Sequence, residues 1–176
     1  MQSEKVDIII IRGAPGSGKS HTAKNLSRFY PKGVKLEVDS LRQMVISVDW
    51  KNQEEHVNML GVSTRLVHDF LKLGFNPVIV VDTFSGNKIG KYIESLYELD
   101  KTLSIKLFGL YVTEEELKKR IELRSNGEFR DFEICKRLND EVPRRKYDTE
   151  FQINTTCLLP IETAEMVFRQ LTGDSV

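Results

Sequence analysis

The stretch Ile8-Ile9-Ile10-Ile11-Arg12-Gly13-Ala14-Pro15-Gly16-Ser17-Gly18-Lys19-Ser20 decides the fold of this chain. A run of β-branched residues empties into a glycine-rich loop, and Gly13 to Ser20 fits G-x-x-x-x-G-K-[ST]. On the order of one chain in a hundred of this length carries that pattern by accident. The context narrows it: Val6 to Ile11 reads as a buried strand, and about Lys19 to Phe29 as a helix with Ala23, Leu26 and Phe29 near one face. Gly13, Gly16 and Gly18 are expected to take dihedrals that a Cβ forbids. Successive N–H groups from Gly13 and Ala14 through Ser17 to the helix start, Pro15 having none, then surround anionic oxygens, helped by the helix dipole. Lys19 is expected to reach the β- and γ-phosphates of ATP, and Ser20 to offer its hydroxyl to Mg²⁺, which prefers oxygen ligands. His21 packs beside the loop. The alternative is a glycine-rich turn with a surface lysine.

Working outward, the chain has 176 residues, 40% of them apolar, which suits one α/β domain over residues 1–176. Its 26 basic and 26 acidic side chains balance, which argues against a protein built to coat nucleic acid or an anionic membrane. Cys135 and Cys157 lack metal-ligand spacing and read as reduced thiols of a cytoplasmic protein. The start, Met1 to Asp7, lacks the basic and apolar regions of a signal peptide, and no apolar run approaches a membrane span.

Strand and helix patterns alternate downstream, which implies βαβ units and a parallel sheet. A short strand at Val34 to Val38 delivers Asp39 to its C-terminal end, where open α/β sheets place ligands. Ser40 to Met44 begins a helix, Val45 to Gln53 is irregular, and Glu54 to Leu73 keeps helical spacing up to a Gly74 cap. Pro77 to Asp82 is a second buried strand ending on an aspartate. Ile89, Tyr92, Ile93, Leu96 and Leu99 mark a helix, and Ser104 to Tyr111 a strand. Thr113-Glu114-Glu115-Glu116 is a capping box that starts a helix carrying Arg120 and Arg124. A helix from about Asp131 is expected to stop at Pro143; a last short strand runs from Phe151 to Asn154, and a last helix begins at Pro160.

Phosphoryl transfer to a hydroxyl needs a carboxylate near the attacking oxygen and cations on the moving phosphoryl group. Asp39 suits the first role, and Arg42, three residues on, could hold an anionic part of the acceptor or orient Asp39. Arg120 and Arg124, one helical turn apart, suit the second. Asp82 could hold Mg²⁺, directly or through water, or bind the acceptor. The plainer alternatives are an N-cap for Asp39 and a solvated basic face for the arginines. His56 and His68 read as surface residues, and Trp50 as a pocket wall or an anchor for its segment.

Together, Gly13–Ser20, Asp39 with Arg42, Asp82, and Arg120 with Arg124 resemble the small P-loop kinases of the polynucleotide 5′-hydroxyl kinase type. That group in turn resembles the chloramphenicol phosphotransferases and the zeta-toxin sugar-nucleotide kinases. The likeness runs from about Val6 to Leu171. It implies a five-stranded parallel sheet of order 2-3-1-4-5 with a helical lid over about residues 113–143. It implies Asp39 as general base, Arg42 on a substrate phosphate, and Asp82 organising the substrate site. Arg120 would stack on adenine, Arg124 touch phosphate, and Asn154-Thr155-Thr156 cup the adenine. Val38-Asp39-Ser40-Leu41 looks closer to the chloramphenicol phosphotransferase version, which favours a small acceptor over a nucleic acid. The basic cluster Arg144-Arg145-Lys146 reads as a solvated turn.

Two other functions compete with an ATP-dependent kinase acting on a hydroxyl: a nucleotide-binding switch without transfer, and a nucleic-acid end-processing module. A GTPase switch needs N-K-x-D and D-x-x-G, which Asn87-Lys88-Ile89-Gly90 and Asp82-Thr83-Phe84-Ser85 do not satisfy.

Overall fold

The β-branched run forms the central strand of the sheet. In the computed structural model, which describes residues 5–173, β1 (Ile8–Gly13) lies between β3 (Val78–Asp82) and β4 (Ile105–Tyr111). β2 (Val34–Glu37) and β5 (Glu150–Asn154) form the edges, giving order 2-3-1-4-5 with every pair parallel. The stretch read for a leader, Met1 to Asp7, lies outside the described residues as far as Glu4.

Alternate residues of the central strands feed two layers. Ile8, Ile10, Val78, Val80 and Leu107 point to one side, where α2 (Val38–Gln43), α3 (Gln53–Lys72) and α4 (Lys88–Leu99) bury Leu41, Leu60, Val67, Ile89 and Leu96. Ile9, Ile11, Ile79, Val81, Phe108 and Leu110 point to the other, against Ala23 and Leu26 of α1 (Lys19–Leu26) and Ala164 and Val167 of α7 (Pro160–Thr172). Burial on both faces is why Ile8 to Ile11 shows no apolar–polar alternation. A smaller cluster of Val112, Leu117, Ile121 and Cys135 joins α5 (Glu114–Glu122) to α6 (Phe132–Arg144).

Three local expectations change. β2 ends at Glu37, so Val38 and Asp39 lie in the first turn of α2; Asp39 ends no strand and caps no helix, the N-cap being Glu37. Pro143 sits within the last turn of α6, which closes at Arg144; so near the end, the missing N–H and the ring leave the helix intact. His56 is buried. Thr113 caps α5 as the capping box predicts, its hydroxyl accepting from Glu116 N. The side chains of Arg144, Arg145 and Lys146 are exposed, as expected of a solvated turn.

A buried ion pair crosses the sheet beneath the loop. Arg12 of β1 donates from Nε to Glu150 Oε1 (2.5 Å) and from Nη2 to Glu150 Oε2 (3.0 Å). The pair spans β4 at Gly109, where a Cβ would lie 2.4 Å from Glu150 Oε1. Arg12 Nη2 also donates to Arg145 O at 2.8 Å, tying the C-terminal end of α6 to the root of the loop. Asn139 holds α6 at its middle: Nδ2 donates to Val112 O and Oδ1 accepts from Val112 N.

Candidate active site

The loop between β1 and α1 takes the shape its glycines allow. Gly16 and Gly18 have φ of 89° and 93°, the left-handed region where a side chain is strained. Gly13 is not in that region. It is needed for close approach instead, because a Cβ there would stand 2.4 Å from Ser17 Oγ and 2.6 Å from Leu110 O. Gly18 occupies the N-cap of α1 with no side-chain cap, so the first N–H groups of the helix stay available.

A cavity of about 720 Å³ opens from this loop. Residues 16–22 form its floor, Glu116 and Arg120 of α5 one wall with Arg124 just beyond, since the helix ends at Glu122 and does not carry Arg124 as expected, and residues 155–160 after β5 the other. Arg120 closes the corner between them. Its Nε pairs with Glu116 Oε1 (2.7 Å), Nη2 donates to Thr155 O (2.8 Å), and Nη1 donates to Thr155 Oγ1 (3.3 Å) and Gly16 O (3.4 Å). Thr155 Oγ1 in turn donates to Ser17 O at 2.9 Å. Arg124 pairs with Glu128 at 3.1 Å, and its buried Nε has no partner among the described residues. Asn154 stands outside the lining; its carboxamide oxygen accepts from Thr156 N and Oγ1 and shapes the turn. His21 lines the cavity and is exposed.

Lys19 extends toward Ala14 O (3.5 Å). Burial lowers its pKa, opposed by the charges of Asp39 and Asp82. Asp39 makes no side-chain hydrogen bond among the described residues. Loss of solvent raises its pKa, the negative charge of Asp82 adds to the rise, and Lys19, His56 and Arg42 oppose it. The residue as a whole is exposed. Asp82 is buried, and both its oxygens accept: Oδ1 faces His56 Nε2 at 3.1 Å, and Oδ2 accepts from Phe84 N at 2.9 Å. Arg42 is also buried. It stacks over Trp50 (4.7 Å to the ring centroid), donates to Asp49 O (3.0 Å) and lies 3.7 Å from Glu55.

The donor set fits Mg²⁺ only in company with phosphate oxygens. Among the described residues no cluster of three or more His, Cys, Asp or Glu side chains could cage a metal. The Ser20 hydroxyl lines the cavity and makes no hydrogen bond among the described residues, and Asp82 offers a carboxylate. Mg²⁺ keeps several waters and takes one or two protein oxygens beside substrate phosphates, which such a pair can supply.

Residues 8–145 match the family described as AAA domain. The chain belongs to this family. The fold of this AAA-domain chain is that of P-loop kinases. The APS kinase of Mycobacterium tuberculosis, solved with AMPPNP and APS, superposes with a TM-score of 0.70 at 16% identity, covering 97% of this chain and 99% of that one. The tunicamycin resistance protein of Deinococcus radiodurans gives a TM-score of 0.67 at 19% identity, covering 95% and 96%. The Pnkp1/Rnl/Hen1 RNA repair complex matches 83% of this chain and 47% of its own at 22% identity and a TM-score of 0.69. No curated protein matches the sequence. Among the described residues, no helix of this AAA-domain chain is long and apolar enough to cross a membrane.

The structure brings Gly16–His21, Arg120, Arg124 and Thr155 around one cavity, leaves Gly13, Ala14 and Pro15 outside its lining, and places Asp39, Arg42 and Asp82 in a charge cluster that shares Lys19. The sequence reading missed His56, Lys88, Arg12, Glu150 and Asn139. For His56 the signal was present: it lies four residues before Leu60 and eleven before Val67, on the inward stripe of α3. For Arg12 and Glu150 none was, because their meeting depends on strand order and on Gly109.

Proposed function

We propose that this chain is an ATP-dependent kinase that transfers the γ-phosphate to a hydroxyl, with Asp39 as general base. The observation that carries this reading is the Asp39 carboxylate: accessible, unpartnered, raised in pKa, and coupled to Lys19 of the phosphate loop.

In this reading, the cavity between the loop, α5 and residues 155–160 takes ATP. N–H groups of the loop and α1 hold the phosphates, and Lys19 bridges the β- and γ-phosphates. Ser20, with Asp82 nearby, would hold Mg²⁺, which neutralises phosphate charge. The acceptor hydroxyl forms its bond to the γ-phosphorus as the bond to the bridging oxygen breaks, leaving ADP. Asp39 takes the hydroxyl proton, its raised pKa bringing it closer to that of the proton donor. Lys19 and Arg124 offset charge on the moving phosphoryl group. Arg42 and Asp82 face the acceptor. Residues 113–143 serve as the lid, with α5 as the covering part, since α6 is held to the body by Asn139 and Arg12. The balanced charge favours a small-molecule acceptor over a polynucleotide 5′ end. The unpaired thiols of Cys135 and Cys157 suit the cytoplasm.

The test is ATP consumption and product phosphorylation against a panel of 5′-hydroxyl oligonucleotides, nucleosides, sugars and aminoglycoside-like compounds. Transfer to one class, abolished in Asp39→Asn with nucleotide binding intact, is the expected result. Unchanged turnover in that variant removes Asp39 as base. Nucleotide binding without transfer to any compound favours the switch reading.

A further inference from the structure

The geometry points to His56 and Lys88 as positioning residues for Asp82, an inference that rests on the phosphotransfer reading of this site. His56 is buried on the inward face of α3, and both ring nitrogens are engaged. Nε2 lies 3.1 Å from Asp82 Oδ1, and Nδ1 lies 3.0 Å from Lys88 Nζ. Lys88 Nζ also donates to Gln53 Oε1 at 2.7 Å. An ammonium group has donors and no lone pair, so Nδ1 must accept from it and Nε2 must carry the ring proton. The series Gln53, Lys88, His56, Asp82 therefore has one consistent direction of donation, and it ends on a carboxylate that only accepts.

The second oxygen of Asp82 is held from the opposite side. Phe84 takes φ 50°, an uncommon value for a bulky residue, and this turn aims its N–H at Oδ2. The Phe84 ring is fully buried, 4.9 Å from the Tyr92 ring, so packing holds the turn in place. Asp82 is thus fixed by one donor on each oxygen, from α3 and from its own loop. Asp39, coupled to it by charge, has no such partner. The two carboxylates divide the work. Asp82 is a rigid acceptor that orients a donor group in the cleft, with a lone pair left on each oxygen. Asp39 is free to meet the hydroxyl and take its proton.

Three measurements on the full chain test this. Imidazole ¹⁵N spectra of the wild type should show His56 protonated at Nε2 and accepting at Nδ1; the opposite tautomer overturns the inference. Crystal structures of His56→Leu and His56→Gln should separate packing from donation, because the Gln amide nitrogen reaches about where Nε2 lies, whereas Leu fills the volume without a donor. Asp82 should keep its rotamer in His56→Gln and lose it in His56→Leu; an unmoved carboxylate in His56→Leu overturns the inference. Where the panel yields a phosphorylated acceptor, His56→Leu should lower kcat about 10- to 100-fold, the scale for groups that orient an active-site ligand. Affinity for metal-free AMPPNP should stay unchanged, and His56→Gln should recover most of the loss. Wild-type turnover in His56→Leu refutes the positioning role and leaves the kinase reading standing. A panel without product refutes the kinase reading, and the tautomer and the rotamer still decide whether Asp82 is positioned by His56.

Discussion

Replacing Glu150 by glutamine tests how the sheet supports the loop. Four donors converge on this buried carboxylate: Arg12 Nε and Nη2, Tyr147 N at 3.2 Å and Gln152 Nε2 at 3.2 Å. A glutamine amide has the same shape but only one accepting oxygen. In one orientation its NH₂ faces Arg12 Nη2, Tyr147 N and Gln152 Nε2; in the other it faces Arg12 Nε. Either way a donor meets a donor, and the Arg12 guanidinium stays buried without its counter-charge. Removing one partner of a buried pair is worth about 3–5 kcal/mol. Arg12 keeps its bond to Arg145 O, which places the expected loss near the lower end, about 3 kcal/mol. For a chain of this size that lowers Tm by about 6–12 °C. Urea unfolding followed by circular dichroism reads the loss as a shift in midpoint at constant slope. The double variant Arg12→Met with Glu150→Leu should recover most of the stability, because a well-packed apolar pair needs no desolvation. A Glu150→Gln protein within about 1 kcal/mol of wild type would refute the reasoning.

Asp39→Asn should raise stability at neutral pH. The folded carboxyl keeps its proton to higher pH than the unfolded one, so wild-type stability falls as pH rises through that window. The gap between variant and wild type should close below the ordinary carboxylate range; equal melting temperatures at all pH values would contradict the raised pKa. For the same reason, transfer activity should decline as pH falls through the raised carboxyl value. Lys19→Ala should weaken AMPPNP binding by about 10- to 100-fold, the value of one charge-assisted contact, as read by calorimetry. Arg120→Lys keeps the charge but loses the fork that joins Glu116, Thr155 and Gly16. Nucleotide affinity should fall and proteolysis within α5 should quicken, whereas wild-type affinity would show that charge alone suffices.

Much of the site was legible as chemistry on known elements. The loop needed only a glycine pattern between a buried strand and a helix, and Asp82 only an apolar strand with an acid at its end. Asp39 was found for its residue type, though the turn that presents it belongs to a helix: the chain passes from β2 to α2 with no intervening loop. Arg120 and Arg124 were found as a pair, yet their work differs. Arg120 is committed to backbone and side-chain acceptors on three segments, while Arg124 keeps a buried Nε without a partner among the described residues.

The sequence by itself determined the alternation of strands and helices, the phosphate loop and the acids near it, because each follows from local patterning over a few residues. Only the tertiary structure decided which charges meet. His56 reaches Asp82 across 26 positions of chain, Lys88 reaches His56 across 32, and Arg12 reaches Glu150 across 138, over a strand whose glycine leaves room. Hydrogen bonds and ion pairs act over a few ångströms, so such partners are set by strand order and helix rotation, which no local window of sequence contains.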